Sequence, residues 1–331
     1  MSTFTASLQS FFTTYLIHQR AASPHTIAAY RDTFRLLLKY LKETTGTAPD
    51  ALEFTDLNVD ALTAFLQFLE ADRRNSIRTR NARLAAIHSF FAYAAYENPE
   101  YADLIARNLA IRTKNTHTGV LTYLTNAESK ALLQAPNRTT LTGCRDYTII
   151  LVLTTTGLRV SELTGLTHRD LQLTKPAHLL CHGKGRKDRI TPLSPAAAGA
   201  LRHWITLQPA HQPEDPVFTA KGSNRPISTD AVASRIRQHA TTAALTCPSL
   251  IPKTITPHTL RHTTAMRMLE AGIDITTIAL WLGHESTQTT QIYLHADLAL
   301  KEKAMARLLP PGTSRYRYRP KGSTLAFLES L

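Results

Sequence analysis

The sequence predicts a mainly α protein with a small β-hairpin or sheet, built as an N-terminal helical bundle followed by a mixed α+β part. Three observations predict it. Four amphipathic helical patterns follow one another in the N-terminal part. Glycine splits unevenly: only Gly46 falls in residues 1–114, and the other 12 follow. Two short strand patterns flank the turn Gly183-Lys184-Gly185.

Phe4, Leu8, Phe11, Phe12 and Tyr15 keep helical spacing, as do Ile27, Tyr30, Phe34, Leu37, Leu38 and Leu41 after a Ser23-Pro24 start. Val59, Leu62, Phe65, Leu66 and Leu69 form a third pattern, and Leu84, Ile87, Phe90 and Phe91 a fourth, capped by Ser76. These stripes are core, and together they predict a small bundle. The turn between the third and fourth helices, with the helix start after it, gathers Arg73, Arg74, Arg78, Arg80 and Arg83. Several of these can neutralise phosphates, aided by the positive end of the helix; a solvated basic helix end is the plainer reading. Residues from Asn108 to Thr118 lack periodicity. The expected division is a helical domain at 1–110, a linker at 111–120 and a second domain at 121–331.

A chain of 331 residues is long enough for two cores. Hydrophobic residues at 43% and charged residues at 19% describe an ordinary globular composition. The net charge of +13 points to a polyanionic partner, and its distribution says more. Residues 1–114 carry 13 Lys+Arg against 11 Asp+Glu, a balance of +2, and residues 115–331 carry 25 against 14, a balance of +11. Three cysteines without a C-x-x-C pair argue against a disulfide framework or a cysteine zinc site. The N-terminus has no basic n-region, and no apolar run approaches the roughly 18 residues of a membrane span. A cytoplasmic location away from membranes is expected.

In the second domain, Thr125 caps a helix over 124–133, and the apolar run within Asp146 to Thr156 reads as a buried helix or strand, with the ending T-T-T-G-L-R favouring a helix stopped by Gly157. T-G-L-R-V-S-E-L follows, so Arg159 leaves that element in a fixed place beside Glu162, a carboxylate able to hold it. Ala177 to His182 and Arg189 to Leu193 read as strands that present Lys184 at the hairpin tip. The spacing does not fit a phosphate-binding P-loop, because Gly185 stands where Ser or Thr is required after the lysine. Further on, Thr256 and Pro257 open a helix carrying His258 and Arg261, three apart on one face. Gly272 stops it. Asp274 caps a short helix, Ile275 to Leu282, that ends at Gly283 and puts His284 just beyond; Ser286 caps a third that carries Tyr293. Taken alone, this segment also fits a helix-turn-helix that reads DNA and does no chemistry.

Arg159 in T-G-L-R-x-S-E-L, Lys184 in a glycine hairpin, His258-x-x-Arg261, L-G-H ending at His284 and Tyr293 nine residues later form an ordered set. In this order and spacing the sequence resembles the tyrosine recombinases, or phage integrase family, across essentially its whole length. The resemblance implies a catalytic domain and a helical core-binding domain that clamp DNA. It implies that Tyr293 is the nucleophile, that Arg159 and Arg261 grip the scissile phosphate, and that Lys184, His258 and His284 complete the site. It also implies double-stranded DNA at a specific target as partner, a homo-oligomer on that DNA, and room for accessory recombination proteins.

The chemistry accounts for these residue types. Conserving the energy of a phosphodiester needs a covalent intermediate, which a phenol can form. With an ordinary phenol pKa near 10, attack needs a base, and a histidine titrating near 6.5 can serve. His258 is the first candidate. Lys184 can protonate the departing 5′ oxygen, and His284 can add a hydrogen bond to the phosphate. Two guanidinium forks meet the charge on the non-bridging oxygens as lysine cannot. This scheme calls for no metal and no cofactor. His258 and His262 are four apart on one helix, but no glutamate lies between them and Arg261 puts a cation beside them.

After Tyr293, a helix over Ala296 to Leu309 precedes P-P-G, the basic run R-Y-R-Y-R-P-K and the apolar end L-A-F-L-E-S-L. In the resembled family such ends dock into a neighbouring subunit. Two other functions are compatible with parts of the pattern: a DNA-binding accessory protein that never cuts, and a DNA-relaxing enzyme like the type IB topoisomerases. The complete catalytic set weighs against the first, and the bundle with its short catalytic part against the second.

Overall fold

The computed structural model describes residues 2–116, 121–183, 188–209, 211–220 and 222–283, together with Thr290. Lys184, His284, Ser286, Tyr293, the helix expected over 296–309 and the C-terminal end lie outside the described residues. The chain separates into two units, Met1–Thr118 and Gly119–Leu331.

In the first unit each amphipathic pattern is helical: α1 (Thr3–Ser10), α2 (Pro24–Thr45), α3 (Val59–Ala71) and α4 (Ile77–Glu97). Their starts are fixed by Ser2, Ser23, Asn58 and Ser76, whose side chains accept backbone N–H groups that have no partner inside the helix. After α1 the chain continues as a wider π-helix, Phe11–Gln19. Phe4, Phe11, Phe34, Phe54, Phe90 and Phe91 fill the core with leucines around them. Phe4 and Phe11 each meet the Phe90 ring edge to face at a 5.6 Å centroid separation. Each such pair is worth about 0.5–1.5 kcal/mol beyond area burial.

The stretch without periodicity from Asn108 is helical at its start. A fifth helix, α5 (Ala102–Leu109), contains Asn108, which is fully buried and donates from Nδ2 to the Leu57 carbonyl at 2.7 Å. An asparagine that satisfies a buried carbonyl looks, in sequence, like a loop residue.

The second unit is organised around α7 (Leu141–Thr156), which is buried on nearly every side. It is contacted by α6 (Asn126–Gln134), by α9 (Pro195–Thr206) and α10 (Thr229–Ala244), and by α11 (Pro257–Glu270). The short α8 (Val160–Thr164) follows α7, and α12 (Ile275–Leu282) packs on α11. The strands β1 (Leu171–Gln172), β2 (His178–His182) and β3 (Asp188–Pro192) form one antiparallel sheet in the order β1-β2-β3. The register sets Cys181 opposite Arg189 and His182 opposite Asp188. Helices α9 and α10 were not anticipated from the sequence, although Ser194 and Ser228 cap them by the same chemistry as Ser76. Among the described residues no helix is long and apolar enough to cross a membrane.

Candidate active site

Arg159 owes its place to the end of α7. Gly157 closes that helix in the left-handed region at φ +67°, and a Cβ there would lie 2.6 Å from Leu282 Cδ2. Only glycine allows both the turn and this close approach. Two residues on, the Arg159 backbone N–H donates to Glu162 Oε2 at 2.8 Å and its Nη1 to Oε1 at 2.9 Å. Nη2 donates to the carbonyl of Gly283 at 2.9 Å. The Glu162 side chain is 4% exposed and that of Arg159 33%, so the carboxylate lies inside while the guanidinium reaches the surface.

Arg261 comes from α11, whose first turn is set by Thr256 and Pro257 as the sequence predicts. It is buried, with Nη1 donating to Gly157 O and Nη2 to Leu282 O, both at 2.6 Å. Arg159 and Arg261 thus converge on adjacent carbonyls at the end of α12, which Asp274 opens and Gly283 closes at φ +64°.

A third arginine joins them. Arg189, on β3, donates from Nε to the Trp281 carbonyl at 3.1 Å. Its Nη1 and Nη2 donate to Glu162 Oε1 and Oε2 at 2.9 and 2.8 Å. The carbonyls of Trp281, Leu282 and Gly283 therefore accept from Arg189, Arg261 and Arg159 in turn, at the helix end where cations are favoured. Burial alone would raise the Glu162 pKa, but the bonds from Arg189 and from the Arg159 backbone hold it below the usual glutamate range. Arg189 was read from sequence only as the start of a strand. No local spacing ties it to a helix end 92 residues further on.

His258 is exposed in the first turn of α11, and its ring centroid is 6.3 Å from that of His262. Burial, with His258 and Arg261 nearby, pushes His262 down to about 4. Lys184 falls in sequence between β2 and β3, outside the described residues, while the facing ends of the two strands are described. There His182 bonds Asp188 Oδ1 at 3.0 Å through Nδ1 and Asp170 Oδ1 at 3.1 Å through Nε2. These bonds, Asp188 first, raise the His182 pKa. His284 is the next residue after the Gly283 turn.

The arginine cluster of the first unit divides. Arg73, Arg74 and Arg78 are exposed and Arg83 is half-buried. Arg80 is turned inward: its Nη1 donates to Asn81 Oδ1 at 3.0 Å and to the Arg112 carbonyl at 3.2 Å, and its Nε is 3.6 Å from Glu70. Four residues C-terminal to Ser76, it falls on the core-facing side of α4.

Comparison with known proteins agrees with both units. Residues 122–299 match the phage integrase family, and residues 10–98 match the phage integrase N-terminal SAM-like domain. The chain is 46% identical over 324 residues to the protein y4rC of Sinorhizobium fredii, which carries the provisional name integrase/recombinase; the match covers 98% of this chain and 97% of the relative. It is 34% identical over 292 residues to the tyrosine recombinase XerC of Pelobacter propionicus, covering 87% and 90%. Among solved structures, a Tn1549 transposon integrase in complex with transposon right end DNA has the same fold, with a TM-score of 0.68 at 20% identity over 90% of this chain and 98% of that one. The chain belongs to the phage integrase family and is a recombinase of the tyrosine type.

Proposed function

We propose that this recombinase cleaves and rejoins double-stranded DNA at a specific site, in integration or transposition, through a 3′-phosphotyrosine on Tyr293. The observation that carries the reading is the convergence of Arg159 and Arg261 on the carbonyls of Gly283 and Leu282, one residue before His284. These arginines are 102 positions apart in sequence, and the Arg159 guanidinium, whose side chain is a third exposed, keeps donors beyond those bonds for a phosphate.

In the proposed step Tyr293 Oη attacks phosphorus while the bond from phosphorus to the 5′ oxygen breaks. The phenol proton goes to His258, which stands at the open end of α11, and Lys184 protonates the 5′ oxygen. Arg159, Arg261 and His284 hold the non-bridging oxygens, and removing one such donor costs roughly 3–4 kcal/mol of transition-state stabilisation. Attack by a new 5′ hydroxyl reverses each transfer and reseals the strand. The first unit completes a clamp on the duplex, with Arg73, Arg74 and Arg78 among its phosphate contacts. The active form is a homo-oligomer on DNA in the cytoplasm, with accessory recombination proteins as further partners.

The test is covalent capture. The protein is incubated with EDTA and a library of randomised duplexes carrying a nick at one fixed position, then resolved by denaturing electrophoresis. Wild type is expected to form a protein–DNA adduct, and Tyr293→Phe none. Arg159→Lys and Arg261→Lys should each lose about 100- to 1000-fold in rate. An adduct that requires metal, or no adduct from wild type, overturns the reading.

A further inference from the structure

We propose that Arg189 is a positioning residue for strand cleavage, holding Arg159 in place through the Glu162 they share and pinning the turn before His284. The inference rests on the reading of Arg159 as a phosphate-binding residue. Arg189 lies outside the set of six residues that the resemblance supplies.

Three observations carry it. Glu162 accepts four hydrogen bonds, two from Arg159 and two from the Arg189 fork, which fills the acceptor sites of a carboxylate. Arg159 and Glu162 alone are a neutral pair. With Arg189 the group carries one net positive charge, so Arg159 can approach a phosphate without its charge being cancelled by the buried carboxylate behind it. The third observation is steric and concerns the turn. Arg189 fills the space beside Gly283, where a Cβ would lie 2.8 Å from its Nη1, and its Nε holds the carbonyl of Trp281. Its side chain is only 14% exposed, so it is placed to organise the site from behind and not to touch DNA.

The geometry predicts how substitutions differ. Methionine fills the volume of Arg189 but leaves Glu162 with Arg159 alone, pulling that guanidinium back and neutralising it. Lysine restores the charge, yet a single ammonium cannot both fork onto Glu162 and reach the Trp281 carbonyl. The probe is the nicked duplex captured by the wild-type protein from the randomised library, made once with the natural phosphate and once with an uncharged methylphosphonate at the cleaved position. DNA affinity and single-turnover adduct formation are measured for wild type, Arg189→Met and Arg189→Lys, with folding monitored by circular dichroism.

Arg189→Met is expected to bind within about threefold of wild type and to cleave the natural duplex about 10- to 100-fold more slowly, the usual cost of losing a supporting partner. Arg189→Lys should recover part of that rate. On the methylphosphonate duplex the deficit of both should shrink to about threefold or less, because an uncharged phosphate no longer depends on the charge balance behind Arg159. Wild-type cleavage by Arg189→Met, or an equal deficit on both duplexes, overturns the proposal while leaving the recombinase reading intact. If Arg189→Met does not fold, the comparison is made with Arg189→Lys, and an equal deficit on both duplexes again overturns it. Failure of wild type to form any adduct overturns the recombinase reading and this proposal with it.

Discussion

Arg159 and Glu162 were legible in the sequence because their partnership is local: they are three positions apart, and the chain turns between. Arg189 was not, because its partners are set by tertiary packing. The same limit hid Arg80, which reads as one of five basic residues and folds inward. Glycine, by contrast, signals its role directly. At Gly157 the left-handed φ of +67° and the 2.6 Å approach to Leu282 act together, so Gly157→Ala should cost about 1–3 kcal/mol. Urea denaturation measures this, and a loss under about 0.5 kcal/mol contradicts it. His262 makes a second prediction at this scale. Its folded pKa of about 4 lies below the ordinary 6.5, so between those values the unfolded chain binds more protons. Its contribution to stability is complete above pH 6.5 and is lost as pH falls toward 4. Thermal unfolding at pH 7, 6 and 5 should show a declining midpoint, with a shallower decline in His262→Asn. Burial also lowers His88 and His168, so part of the slope survives the substitution.

Among elements, those with a period or a cap were readable and those defined by surroundings were less so. The apolar stripes of α2 and α3 gave helices whose starts match their caps. Helix α7 shows no stripe because nearly all its faces are buried, and Gly157 alone told its run from a strand. β1 is two residues long and gains its identity only by pairing with β2, which no periodicity can announce. In α12 the length and cap were readable, while the three arginines that hold its C-terminal carbonyls arrive from the turn between α7 and α8, from β3 and from α11. Capping makes a prediction here. Ser76 Oγ accepts the Thr79 N–H at 3.2 Å at the start of α4, so Ser76→Ala should destabilise the chain by about 1 kcal/mol and Ser76→Asp should leave it nearly unchanged. Equal losses in the two variants, measured by urea denaturation, would show that the hydroxyl does not act as a cap.

For the molecule as a whole, the division into two units was visible in glycine and charge, since a glycine-poor bundle precedes a basic, glycine-bearing part. Total charge could not say which arginines face solvent, and that distinction has a measurable consequence in DNA binding. Each phosphate neutralised by an exposed cation releases counterions, so the logarithm of affinity falls with the logarithm of salt concentration by about 0.9 per contact. Arg73, Arg74 and Arg78 are exposed, and replacing any one that contacts a phosphate by alanine should lower the slope by about 0.9 with stability kept within about 0.5 kcal/mol. Arg80→Ala should do the opposite. Its guanidinium is committed to Asn81, the Arg112 carbonyl and Glu70, so the slope should stay unchanged while stability falls by about 1–3 kcal/mol. Lys114, 2.9 Å from Glu70, limits that loss by keeping the carboxylate paired. Affinity for the captured duplex across a salt series, set beside urea denaturation, separates the two classes. A reduced slope in Arg80→Ala would mean that its inward placement gives way on DNA, with the arginine turning out to the phosphates.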